Sequence, residues 1–326
     1  MKKPGSKFTF GSRFSEDGPE DILSGEIDLN TDPSMLPAKS IVDTLAKKDK
    51  FILNVKEHMR LHKQDLVIFI HGFRNDFRDS VNITRELKSS LIACDFDCDL
   101  MVFSWPSDKL LALASNHNYR SDRDDAMHSG KAIGRSFLFI NEFYRSLTCD
   151  LNAPPDRLFC GRKIHLIAHS MGCYALRFAL LSLCIELGAY RLPKLFDQIF
   201  LIAADEDVDA FEHEYKLKNL PSLANRITVY FNRKDLALVA SDLTKNNPDR
   251  LGAEGPSRNR AISERVVAVD CEDIVKPTLK DPVGHSYFSE NQSFLLDMVS
   301  SLKGMRDDDR NRSRVFVPHS IIYRLV

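Results

Sequence analysis

The stretch Ile164–Ser182, IHLIAHSMGCYALRFALLS, sets one serine between two apolar runs, with His169 and Met171 beside it and Gly172 two positions on. The first run is continuously apolar up to Ala168, as in a strand covered on both faces. The second reads as an apolar helix. A buried serine costs free energy unless it is hydrogen-bonded, so Ser170 either fills a turn or is placed to react. A strand-turn-helix that carries a reactive residue at its apex is very tight, and side chains two positions to either side must be small. That is the physical reason for G-x-S-x-G. Ala168-His169-Ser170-Met171-Gly172 meets the requirement, with Ala168 adding one methyl group to the first position. The pentapeptide alone also fits a casual small-residue turn, so the reading rests on what surrounds it.

Working outward, five more apolar, β-rich runs share the character of Lys163–Ser170. They are Leu66–Phe73 (LVIFIHGF), Leu100–Ser107 (LMVFSWPS), Gln198–Asp205 (QIFLIAAD), Arg226–Asn232 (RITVYFN) and Arg265–Cys271 (RVVAVDC). Helical patterns separate them. The expected architecture is α/β, a mainly parallel sheet with helices on both faces and reactive groups gathered at the carboxyl ends of the strands. FTFGSRF and KFILNVKE are candidates for earlier, antiparallel edge strands. With no internal repeat and no break in composition, one α/β domain is expected. Its core spans about residues 50–303, with extensions at 1–49 and 304–326. Asp108–Asn118, Asp242–Ala261 and Gly304–Arg314 read as loops or exposed linkers, the last because a charge run is usually a solvated face. VFVPHSIIYRLV after it can return as a final strand or pair with a sheet edge, in this subunit or another.

The whole chain narrows the function classes. Its 326 residues are 43% hydrophobic and 28% charged, with a formal net charge of -1, so nothing favours nucleic acid or an anionic membrane as partner. The N-terminal MKKPGSKFTFGSRF lacks the apolar run of a secretory signal, and no stretch is long enough to span a bilayer. Seven cysteines without metal-ligand spacing suit a reducing, cytoplasmic compartment. Asp205-Glu206-Asp207-Val208-Asp209 opens like a calcium loop, but Ala210 and Lys216 stand where Gly and Glu are required, so no metal is expected.

A serine hydroxyl becomes nucleophilic when a histidine, oriented by a carboxylate, takes its proton. On this architecture the order along the chain is Ser, then acid, then His. His285, in DPVGHSYF, follows the last apolar strand, and Asp235 lies just beyond RITVYFN. Asp205 and Asp207, beyond the preceding strand, are the reserve acids. Met171 N–H is the expected first oxyanion donor. The second is Phe73 N–H, reached through the close backbone approach that His71-Gly72 permits. His71 is read as ordering this loop rather than as the base. Trp105, the one tryptophan, either lines the pocket or packs its rim.

Together IFIHGF, FSWPS, HLIAHSMG, AADEDVDAF, VYFNRKDLAL, RLGAEGP and GHSYF resemble the α/β-hydrolase superfamily. Within it they are most similar to the family named for an alpha/beta hydrolase of unknown function, over about Leu66–Phe288. The resemblance implies a lipase/esterase-like fold with Ser170 as nucleophile, His285 as base and an aspartate as third member. The family as a whole has no settled substrate; the two-step acyl-transfer mechanism takes a carboxylic ester, small-molecule or lipid, as its default substrate and requires no cofactor. Two other readings stand beside it. One is a non-catalytic binding protein on the same fold. The other is a membrane-surface lipase or acyltransferase with a lid at Asp108–Asn118 or Asp205–Asn225.

Overall fold

The computed structural model of the chain describes residues 8–15, 18–26, 55, 59, 61–107, 115–148, 161–243, 249–257 and 262–326. The six apolar runs are all strands: β3 (Asp65–Ile70), β4 (Cys98–Ser104), β5 (Ile164–His169), β6 (Phe196–Ile202), β7 (Ala224–Phe231) and β8 (Val266–Asp270). They pair in parallel in the order β4-β3-β5-β6-β7-β8. β1 (Phe8–Ser15) extends this sheet beside β4 and runs parallel to it, one strand in from the edge. The edge itself is β2 (Gly18–Glu26), antiparallel to β1. At the far side β10 (Ile322–Leu325) lies parallel to β8, and β9 (Arg314–Val317) closes the sheet antiparallel to β10.

Alternation along each strand sends neighbouring side chains to opposite faces, and two cores result. Ile68, Ile70, Leu166, Ala168, Ile199 and Leu201 pack on one face. Above them lie the long helix α2 (Ser115–Thr148) and α3 (Met171–Leu187), the helix that follows the serine. Val67, Phe69, Ile167, Phe200, Ile202 and Tyr230 pack on the other face. They meet α1 (Phe77–Ala93) and α6 (Gln292–Leu302). Each fully buried aliphatic or aromatic side chain here contributes about 1.5–3 kcal/mol. Helix α1 starts where Asp76 and Asp79 cap each other's backbone N–H groups. Gly130 and Gly134 let α2 approach α3 until a Cβ would meet Phe178 Cβ at 2.3 Å and Ala179 O at 3.0 Å. No helix among the described residues is long and apolar enough to cross a membrane.

Several segments differ from their sequence reading. Val55, inside the strand candidate KFILNVKE, is helical, and with Met59 it buries an i, i+4 pair in the core; the rest of that segment lies outside the described residues. Ser115–Asn118, read as loop, is already helix α2, while 108–114 lies outside the described residues. Within 242–261, Asp242 and Leu243 end helix α4 (Leu236–Leu243), and Leu251–Glu254 forms a single turn, α5. This turn is packed inside the protein: Arg250 and Leu251 have no exposure. Gly252 is why it fits, since a Cβ there would stand 2.1 Å from Ala204 N. The lid candidate Asp205–Asn225 is packed down onto the sheet, because Ala210, Leu217 and Leu220 are fully buried in the core.

The charged segment 304–314 is likewise not all surface. Arg312 is buried and donates from Nε and Nη2 to Asp297 Oδ1 at 3.1 and 2.9 Å, and from Nη2 to Ser301 Oγ at 2.6 Å. Arg314 pairs with Asp297 at 3.5 Å and with Asp307. The Tyr230 hydroxyl donates to the other oxygen of Asp297 at 2.7 Å, so the acid is paired and hydrogen-bonded, as buried charge requires.

Candidate active site

Ser170 stands between the end of β5 and the first residue of α3, with φ 54° and ψ -126°. A non-glycine residue held there stores about 1–3 kcal/mol of strain. Three backbone hydrogen bonds hold it: Ser170 N donates to Ile202 O at 3.0 Å, and Ser170 O accepts from Cys173 N at 3.0 Å and Asp205 N at 3.2 Å. The small-residue rule is met on both sides. Ala168 is fully buried in the sheet, and a Cβ on Gly172 would lie 2.6 Å from the carbonyl oxygens of Ile70 and His71. Gly72 approaches from the β3 loop so closely that its Cβ would meet Ser170 Cβ at 2.8 Å.

His285 lies on the loop between β8 and α6, and its Nδ1 is 2.7 Å from Asp235 Oδ2. The second oxygen of Asp235 accepts from Ala237 N at 3.0 Å and Leu238 N at 3.1 Å at the start of α4, which fixes the carboxylate plane. Asp235 is fully buried, while the His285 side chain keeps 15% exposure. Burial pulls the imidazole pKa down, but the Asp235 charge and hydrogen bond outweigh it, with smaller help from Asp281 and Asp205, and the net shift is upward. Nδ1 is occupied, so Nε2 is the nitrogen available for proton transfer. No hydrogen bond joins Ser170 Oγ to His285 among the described residues; such contacts commonly tighten only with substrate in place.

A family model described as alpha/beta hydrolase of unknown function, DUF900, matches residues 47–306. The chain belongs to this family. The match covers the whole stretch on which the resemblance was drawn, and the parallel sheet is that of an α/β hydrolase. No curated protein matches the chain.

In this DUF900 chain the reserve acids are engaged elsewhere. Asp205 accepts from the Tyr119 hydroxyl and lies 3.3 Å from Arg250 Nε and 3.7 Å from Arg123 Nη1. Asp207 pairs with Arg250 at 2.8 Å and Lys216 at 3.0 Å. Among the described residues, the hydrogen-bond partner of the His285 ring is Asp235. Between them Glu206 is fully buried, and desolvation pushes its carboxyl up to about 7 against the pull of Arg177.

Phe73 N–H and Met171 N–H have no acceptor among the described residues, and Phe73 and Met171 flank the serine through the Gly72 approach and the chain itself. The loop beneath them is held by His71 and Trp105. His71 Nδ1 is 2.9 Å from Gly72 O, and its Nε2 accepts from Trp105 N at 3.1 Å. The Trp105 indole donates to His71 O at 2.8 Å, and the two rings stack at 5.2 Å. Trp105 is 1% exposed, so it supports the loop from below and does not line a pocket. Desolvation lowers the His71 pKa to about 4, which keeps the ring neutral.

Other members of the site were not singled out by the sequence reading. Asp281 accepts from His285 N at 3.0 Å and Ser286 N at 2.7 Å, and Asn232 donates to Gly284 O at 3.2 Å. Asp281-Pro282 is a turn signal that could have marked the first. Arg250 is different, because nothing local in RLGAEGP announces a buried guanidinium.

Proposed function

We propose that the chain is a serine hydrolase that cleaves a carboxylic ester through an acyl-enzyme. The observation that carries this reading is the 2.7 Å contact of a buried, amide-fixed Asp235 with His285, beside a serine in a strained elbow. In the first half-reaction His285 Nε2 takes the proton from Ser170 Oγ as Oγ bonds to the ester carbonyl carbon. The oxyanion that forms accepts from Phe73 N–H and Met171 N–H, each donor being worth about 3 kcal/mol to the transition state. The C–O bond to the alcohol then breaks, and the protonated His285 delivers its proton to that oxygen. Water, deprotonated by the same Nε2, attacks the acyl carbon; the C–Oγ bond then breaks, and Nε2 returns its proton to Ser170 Oγ as the acid leaves. Asp235 keeps the ring in one tautomer and stabilises its charged form throughout. Thioesters and lipid esters meet the same machinery, and no metal or organic cofactor enters any step.

The test is covalent labelling with a fluorophosphonate, followed by intact mass. Wild type should take up one label rapidly, and folded Ser170→Ala and His285→Ala should take up none. Absence of labelling in folded wild type, with detergent or lipid vesicles also present, would return the chain to the binding-protein reading.

A further inference from the structure

We propose that His169 is a positioning residue that sets His285 relative to Ser170; the inference rests on the hydrolase reading above. His169 is the last residue of β5, directly before the candidate nucleophile. Its side chain touches both the loop that carries His285 and the loop that carries Gly72. Nε2 lies 3.0 Å from His285 O, an acceptor, so this nitrogen carries the proton and donates. Its ring lies 4.9 Å from the His285 ring and 4.6 Å from Phe288, tilted at 52° and 45°. On its other side Nδ1 abuts the Gly72 backbone, where a Cβ would come within 3.1 Å.

The consequence is geometric. The distance from Ser170 to the histidine loop is spanned by one rigid imidazole on the neighbouring residue, with no flexible chain between them. That imidazole must be neutral, because a cation so close would lower the basicity of His285. Its environment meets the requirement: it is 5% exposed, and burial, followed by His285 itself, holds its pKa at about 3. In the Ala-x-Ser-x-Gly pattern His169 is the unconstrained x; its importance comes only from where the later loop returns.

The test compares His169→Phe, which keeps the ring packing but has no N–H, with His169→Gln, which keeps a donor. Two readouts are taken: the fluorophosphonate labelling rate as a function of pH, and the downfield proton resonance of His285 Nδ1–H, assigned by its loss in His285→Ala. The Phe variant should fold and melt near wild type yet label on the order of 100-fold more slowly, the cost of misplacing a reacting group by about 1 Å. Its pH midpoint and its Nδ1 resonance should shift, and Gln should restore most of the rate and the wild-type resonance. If Phe labels at the wild-type rate with an unchanged profile and resonance, or if Gln is as slow as Phe, His169 is only packing and the proposal falls. Should Phe fail to fold, His169→Asn, too short to reach His285 O, replaces it in the same contrast with Gln. Were wild type not to label at all, the hydrolase reading would fail, and the resonance would still decide whether His169 positions His285.

Discussion

Asp235 and Asp205 both act electrostatically on His285, but only Asp235 touches its ring, at 2.7 Å, while Asp205 is spent on Tyr119 and Arg250. Burial alone does not distinguish the two acids; their partners do. Asp235→Asn should therefore slow labelling of Ser170 about 10⁴-fold, the effect of losing the correct tautomer. Asp205→Asn should stay within about 10-fold, since it removes a charge and no contact to the ring. Labelling kinetics of the two variants, side by side, decide the assignment.

The upward shift of His285 sets the pH dependence expected of the proposed reaction. In the proposed mechanism the neutral ring is the base, so the labelling rate should rise with pH and level off above a midpoint higher than the 6.5 of a free imidazole. In Asp235→Asn that midpoint should move down, because burial, which lowers the pKa, is left with less opposition.

Stability should respond to pH from both sides. His71 and His169 titrate at about 4 and about 3 when folded, against 6.5 unfolded. The unfolded chain binds protons first as pH falls, so their contribution is complete above 6.5 and lost toward those lower values. Glu206 has the opposite sign. Its carboxyl sits at about 7 when folded and 4.5 when unfolded, so its contribution is complete below 4.5 and lost as pH rises through 7. Melting of Glu206→Gln against wild type between about pH 5 and pH 8 should show the alkaline loss reduced, by on the order of a few kcal/mol.

Gly252→Ala places a methyl group 2.1 Å from Ala204 N and 2.3 Å from Ala203 C, both backbone atoms that cannot move aside. The expected cost is about 3 kcal/mol or more, read by denaturant unfolding. Ala203 and Ala204 lead into Asp205, whose N–H holds the Ser170 carbonyl, so labelling should fall as well.

Arg312→Ala leaves the buried Asp297 carboxylate to Arg314 and Tyr230, without the paired contacts from Nε and Nη2. Removing one partner of a buried pair typically costs 3–5 kcal/mol, and unfolding should show a loss of about that size.

How far the sequence was legible follows from the range of the forces involved. The six central strands were readable because both faces are buried and every residue must be apolar, a local property of the chain. The elbow was readable for a similar reason: close backbone approach at Gly172 and Gly72 forbids larger side chains. Order along the chain favoured Asp235 with His285, but it could not remove Asp205 and Asp207 as reserve acids. The choice among the three depends on Arg250 and Tyr119, which are remote in sequence. The same blindness applies to Arg312, since a charge run looks alike whether its arginines face water or Asp297.

The strand beside β8 is β10, which lies far downstream of it in the sequence. A chain emerging from the ribosome therefore completes β3 through β8, with the His285 loop already attached, while the outer side of β8 still lacks its neighbour. Until Ile322–Leu325 are made and Arg312 finds Asp297, that side is an open parallel edge, ready to take any strand that offers itself. Chaperone dependence and misassembly should concentrate in the interval between the synthesis of β8 and that of β10, however stable the finished sheet.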